Sequence, residues 1–555
     1  MVATAITFES DKPRPQRALI LQGGGALGAY EAGAFRALYE FLSKEDKEKQ
    51  LFDIVAGTSI GAINAAILVS HVIENGTWEG SVDSLLEFWD DISRGVWDVS
   101  DLNIWWNNWW NGLRSFNEGI ASAEAARRYY TAKLAGYIGA PQVFSLIPAV
   151  NDTKYFDNFG IPNNMWFRYD PNRLKESIQK YCNFPIKSNA KREEPRLLTI
   201  STDILVGVPV VFDSYLLRSN VKVDGDIIYA VDYGDGIQPD QVIASASVPI
   251  NYAYKVIQDT KGDEHYLWDG GLLSNTPLTE LLQAHHYYYY ENKVEEMAGP
   301  GSENWKNLTD DDWKKISIPD IKEVYLVNVN PTLQKDRPSD HDNALSRCLD
   351  ISLSDKTRIV QSTLQTIGDM IDIVGSYRDL AMRLVNEFGI DTQQSPKITK
   401  VLKNFISDEA YKRVSDPVDK AKLNEIHEAV LGIILYGLKR DKKIDAKRIE
   451  EWEKVLEKEI GTHHKHVRNV SIPEKRLLAR KNRSTLSAFI PKQYGMIPKF
   501  DLDNASFRVN NIQRIERKHD PNDIAGKMFD FSKNTIIQLI NDGYNDASNQ
   551  LRVVG

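Results

Sequence analysis

The sequence predicts an α/β protein built on a parallel sheet, with a mostly helical insertion before a C-terminal strand and helix. Three observations predict it. Residues 17–70 read strand, loop, helix, strand, tight turn, helix, the opening of a parallel sheet. Runs rich in β-branched residues return at 196–202, 208–212, 227–231 and 321–329. Val360, Leu364, Ile367, Ile371 and Val374 then repeat at alternating spacings of four and three, the stripe of an amphipathic helix.

The elements follow in order. A buried strand at 18–21 runs into Gln22-Gly23-Gly24-Gly25-Ala26-Leu27-Gly28, and a helix follows over 29–42. Three successive glycines let backbone N–H groups approach an anion with no Cβ in the way. A second strand at 52–56 leads into Gly57-Thr58-Ser59-Ile60-Gly61 and an apolar helix over 62–69. G-x-S-x-G between strand and helix is the context of a nucleophile elbow. The chain reverses, the serine stands at the top of the sheet, and the positive end of the helix lies behind it. Residues 75–195 read as a partly helical insertion, with seven of the twelve tryptophans between Trp78 and Trp110. Among these, Trp105, Trp106, Trp109 and Trp110 fit a packed core, a lid, or a belt at a lipid interface. Far downstream, Trp268-Asp269-Gly270-Gly271 sets a carboxylate at a strand end, where two glycines turn the chain away. Helices are expected over 408–438 and 443–460, then a basic stretch at 465–483, a strand at 507–515 and a helix at 532–547. The division is a core over 17–335, a helical insertion over 340–500, and a segment at 505–548 that completes the core.

Glycine loop, serine elbow and Asp-Gly-Gly, in this order, resemble the patatin-like phospholipases. Ile243-Ala244-Ser245-Ala246-Ser247-Val248-Pro249 is similar to that family's Ala-Ser-x-x-x-Pro segment. Leu273-Ser274-Asn275-Thr276-Pro277 is similar to its Asn-x-Pro tail, and Phe529-Asp530-Phe531-Ser532 to the closing helix of some members. The resemblance implies a three-layer α/β/α core and a serine lipid acyl hydrolase of phospholipase A or lysophospholipase type. Ser59 would be the nucleophile and Asp269 the base. The loop carrying Gly23, Gly24, Gly25 and Gly28 would hold the oxyanion. Gly57 and Gly61 would shape the elbow, and Gly270 and Gly271 the turn after the base. No cofactor is implied. Many members carry Arg or Lys where this chain has Leu27; a cation there would support the loop or an anionic headgroup.

The residues leave other readings open. An Asp of ordinary pKa, about 3.9, is a weak base toward a serine hydroxyl, so a dyad needs burial of the carboxylate and a strongly held oxyanion. A Ser–His–Asp triad would need one of His285, His286, His341, His427, His463, His464, His466 or His519, none of which sits in a strand-end turn. His265 is close to Asp269 but precedes it, and is expected to lie in the polar turn Lys261-Gly262-Asp263-Glu264. Gly23-x-Gly25-x-x-Gly28 also fits a dinucleotide fingerprint, but the next strand ends in Gly57-Thr58-Ser59 with no acid at its tip. No spacing of His, Cys or carboxylates reads as a metal site. Acyl transfer to an alcohol, or a non-catalytic membrane- or protein-binding module on a hydrolase scaffold, are the alternative functions.

Composition sets the remaining bounds. Hydrophobic content of 42% and charged content of 26% suit a sizeable core. A net charge of −9 argues against nucleic acid and gives no overall pull toward anionic lipid. Cys182 and Cys348 make no disulfide framework, which suits a reducing cytoplasm. No apolar stretch reaches membrane-spanning length and no signal peptide is expected. The expected partners are a lipid or phospholipid substrate and a membrane surface met peripherally.

Overall fold

The computed structural model describes residues 13–45, 50–99, 122–146, 169–215, 233–234, 236–249, 251–291, 297, 318–335, 337–338, 340–358, 360–361 and 507–554. The expected strand at 227–231, Trp105 to Trp110, the helices over 408–460 and the basic stretch at 465–483 lie outside these residues. The chain divides into two compact units, Met1–Ser362 with Phe507–Gly555, and Thr363–Ser506. The described residues all belong to the first.

The strands are β1 (Gln16–Leu21), β2 (Ile54–Thr58), β3 (Ser145–Leu146), β4 (Tyr169–Asp170), β5 (Arg196–Asp203), β6 (Val208–Asp213), β7 (Lys255–Gln258), β8 (Glu264–Asp269), β9 (Ile321–Asn328) and β10 (Ile512–Glu516). The helices are α1 (Gly28–Glu45), α2 (Ile60–Asn75), α3 (Ser81–Ser93), α4 (Ala123–Ile138), α5 (Asn172–Gln179), α6 (Pro239–Ser245), α7 (Leu278–His286), α8 (His341–Leu353) and α9 (Lys533–Val554). Strands β10, β9, β1, β2 and β5 run parallel in that spatial order. β6 and β8 join β5 antiparallel, and β7 extends β8. The result is a mixed sheet flanked by helices, a three-layer α/β/α fold. β3 and β4 form a separate two-residue ladder.

Burial explains why β1 and β2 lack alternation. Both are buried almost throughout, as parallel strands covered on two faces must be. β2 starts two residues later than its apolar run suggests, because Phe52 is used in packing against Phe35, Trp78 and Tyr325. Helix α2 is buried from Ile60 to Ser70 and stops at Gly76, whose φ of 67° is the left-handed cap that glycine favours. Trp78 and Trp89 are core residues, whereas Trp97 is exposed. Tyr287–Glu291 continues α7 as a π-helical turn. Its Tyr288 ring lies under the buried Arg196 guanidinium, which is ion-paired with Asp213.

The C-terminal segment is part of this sheet. β10 pairs with β9, and α9 lies along α1. Gly33 and Gly543 allow the two helix backbones to touch: a Cβ on Gly33 would strike the Ile540 carbonyl, and one on Gly543 the Tyr30 carbonyl. Tyr544 donates to Glu40 at 2.8 Å and Tyr30 to Asp546 at 3.3 Å across the same seam. Among the described residues, no helix is long and apolar enough to cross a membrane.

Candidate active site

β5 brings the site together. Its residue Ile200 pairs with Thr58 of β2, and its next residue, Ser201, pairs with Asp269 of β8. β6 pairs with both of these β5 residues as well, so β2 and β8 must share the opposite edge of β5, one after the other. The last residue of β8 therefore abuts the elbow that follows β2, although they are far apart in sequence.

At the elbow, Ser59 precedes α2 with φ 57° and ψ −124°. A non-glycine residue there costs on the order of 1–3 kcal/mol and needs external support. The Ser59 N–H donates to the Ser245 hydroxyl at 2.9 Å, and that hydroxyl donates to the Ile200 carbonyl. Thr58 donates through its hydroxyl to the Ser274 carbonyl at 2.8 Å. Gly57 and Gly61 face each other across the turn, and a Cβ on Gly57 would meet the Gly61 carbonyl.

Asp269 is gripped on all sides. Its N–H donates to the Ser247 carbonyl at 2.9 Å, and its own carbonyl accepts from Thr202 at 3.1 Å. Its carboxylate accepts from the Gly271 N–H at 2.7 Å, within the 3-10 turn that begins at Gly270, and the Ser59 hydroxyl is the other group that acts on it. Burial pushes the carboxyl up to about 6, while Ser59 and the Gly271 amide pull it down. Residues 245 and 247 thus hold one member of the pair each.

The glycine loop leans on distant residues. Gly25 has φ 57°, and a Cβ there would strike the Met528 carbonyl. The Gln22 amide oxygen accepts from Val329 N–H at 2.9 Å and Asn330 N–H at 3.0 Å. Its amide nitrogen donates to Thr276 at 2.8 Å and to the Leu353 carbonyl at 3.1 Å. Gly23 O accepts from Asn275 at 3.1 Å and Asn330 at 2.9 Å, and Gly23 N–H donates to the Asn275 carbonyl at 3.4 Å. Among the described residues, the Gly24 and Gly25 N–H groups have no hydrogen-bond partner. Leu27 is buried in the core cluster, so this loop is braced by amide side chains and has no cation at that position.

Beneath the loop, Asn64 of α2 donates to the Gly28 carbonyl at 3.0 Å and to Glu31 at 2.8 Å, and accepts from Trp89 at 3.1 Å. Full burial pushes the Glu31 carboxyl well above its usual range, against the pull of its hydrogen bond from Asn64. The sequence reading gave no role to Gln22, Glu31, Asn64, Ser245, Asn275 or Asn330. A buried Asn in an otherwise apolar helix was the available signal for Asn64.

The histidines stand elsewhere. His265 lies in β8, past the turn expected to hold it, with Nδ1 3.4 Å from Asp203. His285 is buried with Nε2 2.8 Å from the Pro319 carbonyl, and burial pulls it down to about 3. Among the described residues, no histidine is a hydrogen-bond partner of Ser59 or Asp269, and no group of His, Cys or carboxylates could hold a metal ion.

Residues 19–282 match the family model of the patatin-like phospholipases. They form a patatin-like phospholipase domain. The patatin-like domain runs from β1 into α7 and holds Ser59, Asp269 and the glycine loop. β9, β10 and α9 lie beyond the matched residues yet complete its sheet and cover α1. The solved structure of VipD from Legionella pneumophila is similar over 88% of this chain and 93% of its own, at 12% identity and a TM-score of 0.23, too slight a likeness to carry an argument. No curated protein gives a significant match.

Proposed function

We propose that the protein is a serine lipid acyl hydrolase that cleaves carboxylic esters through an acyl-enzyme on Ser59, with Asp269 as base. One observation carries the reading: a buried Asp, raised to about 6, whose side-chain partner is a serine held at positive φ. Such a carboxylate is ionised at neutral pH yet a better proton acceptor than a solvated one.

In the proposed reaction, Asp269 takes the Ser59 proton as Oγ attacks the ester carbonyl. The Gly24 and Gly25 N–H groups, with no protein partner of their own among the described residues, donate to the developing oxyanion. The C–O bond breaks, and the leaving alcohol departs with the proton from Asp269. Water then attacks the acyl-enzyme and gives its proton to Asp269. The fatty acid leaves as the Ser59 oxygen recovers that proton. All the groups required belong to this chain.

Incubation with a fluorophosphonate probe and mapping of the labelled peptide tests this. Label is expected on Ser59, with fatty acid released from phospholipid vesicles. Labelling that persists in Ser59→Ala would overturn the assignment.

A further inference from the structure

Helix α2 is apolar along its buried length from Ile60 to Val69 except at Asn64. Every polar atom of that amide is used. Nδ2 donates to the Gly28 carbonyl at 3.0 Å and to Glu31 at 2.8 Å, and Oδ1 accepts from Trp89 Nε1 at 3.1 Å. Asn64, Glu31 and Trp89 are all wholly buried. Turned over, the amide would set its oxygen against two oxygens and its NH2 against an N–H, so these partners fix one orientation.

Stability does not call for this arrangement. Gly28 opens α1, and a carbonyl at the start of a helix already accepts from the N–H four residues on. The bond from Asn64 comes in addition. Glu31 keeps one buried carboxyl oxygen with no partner among the described residues, and a partly satisfied polar group costs more than an apolar one of the same shape.

The amide spans the two halves of the candidate site. Gly28 closes the glycine loop, and Asn64 lies in the second turn of the helix that begins just after Ser59. Loop and elbow are in contact: a Cβ on Gly23 would come within 3.0 Å of the Ser59 Cβ, and one on Gly28 within 2.6 Å of Ile60. Gly24 and Gly25, with N–H groups unpartnered among the described residues, lie between these two contacts in the chain. Gln22, Asn275 and Asn330 brace the start of the loop, and Asn64 ties its end to the nucleophile's own helix.

We infer that Asn64 is a positioning residue: held in one orientation by Glu31 and Trp89, it keeps the Gly24 and Gly25 N–H groups at oxyanion distance from Ser59 Oγ. This rests on the hydrolase reading above and adds the side chain that couples its nucleophile to its oxyanion donors. Such donors tolerate little displacement, since about 1 Å costs on the order of a hundred-fold in rate.

The test compares wild type, the apolar variant Asn64→Leu/Glu31→Leu/Trp89→Phe, and Leu68→Ala, with active serines counted by end-point fluorophosphonate labelling. The apolar variant leaves no donor or acceptor of the trio unmet, so it should fold. Each protein is assayed on a short soluble ester and for affinity toward an alkyl trifluoromethyl ketone. Ser59 Oγ adds to that ketone's carbonyl carbon, the serine proton passes to Asp269, and the carbonyl oxygen becomes an oxyanion at the loop. The apolar variant should lose about a hundred-fold in kcat per labelled serine, with KM changed by less than about three-fold, and about a hundred-fold in ketone affinity. Leu68→Ala opens a cavity in the same helix, so it should lower the thermal midpoint yet keep kcat per labelled serine within about two-fold. Should the apolar variant not fold, Glu31→Leu and Glu31→Gln replace it: Gln still accepts from Asn64 and should recover most of the kcat that Leu loses. Unchanged kcat overturns the inference. So does a loss of kcat with ketone affinity intact, or an equal loss in Leu68→Ala, which would make Asn64 structural. A wild type that neither takes up the probe nor cleaves the ester would instead fail the hydrolase reading itself, and the inference with it.

Discussion

The Ser59 backbone N–H donates to the Ser245 hydroxyl at 2.9 Å, and the Ser245 hydroxyl in turn donates to the Ile200 carbonyl. One side chain therefore ties the strained elbow to β5, the strand that also sets the position of Asp269. Ser245→Ala leaves a buried donor and a buried acceptor unmet, at about 1–3 kcal/mol. The expected outcome is a lower denaturant midpoint, together with slower labelling of Ser59 and a fall in kcat larger than any change in KM. Ser245→Thr, which keeps the hydroxyl, should recover much of the labelling rate. Equal rates in all three proteins would show that the elbow needs no such tie.

Ser59→Gly should be inactive and more stable. Glycine adopts φ 57° without the steric cost that serine pays there. A gain of about 1 kcal/mol is expected in chemical denaturation, against complete loss of ester turnover.

The Asp269 carboxyl makes two pH predictions. As a base, it must be ionised, so kcat/KM on a soluble ester should rise with pH through about 6 and then level off. For stability the sign is opposite. The folded value, about 6, lies above the ordinary 3.8, so the folded state holds this proton more tightly than the unfolded chain does. That contribution is full below about pH 4 and is lost as pH rises through 6. Asp269→Asn should then abolish turnover yet raise stability at pH 8 by on the order of 1–3 kcal/mol, with little gain at pH 4. His265→Ala and His285→Ala should retain the pH profile.

Much of the candidate site was legible because its motifs are local. Gly23-Gly24-Gly25, Gly57 to Gly61 and Asp269-Gly270-Gly271 each encode a turn that needs only neighbouring residues. How Ser59 and Asp269 meet was not legible, since it depends on β5 accepting two strands in succession on one edge. Nor were the roles of Gln22, Asn275 and Asn330, because a polar side chain does not announce which distant backbone group it will satisfy. The two-residue displacement of β2 arises where packing of Phe52 overrides an apolar run.

Removing residues 507–554 should give insoluble chain, although Ser59 and Asp269 remain. The deletion strips β10 from β9 and uncovers the apolar face of α1. A milder probe is Gly543→Val, which drives a side chain into the Tyr30 carbonyl. Loss of soluble protein, or a drop in thermal midpoint, is expected from it, read by fractionation and calorimetry.

The Met528 carbonyl behind Gly25 gives the order of synthesis a meaning. Every residue of the proposed reaction, from the glycine loop to Asp269, leaves the ribosome before residues 363–506 are made. The surface on which Gly25 rests is made after them. A growing chain thus carries Ser59 and Asp269 for nearly half of translation with the glycine loop unbacked. On the proposed function, hydrolysis would begin only when Met528 has closed on Gly25, so the order of synthesis would delay activity until the C-terminal segment is in place.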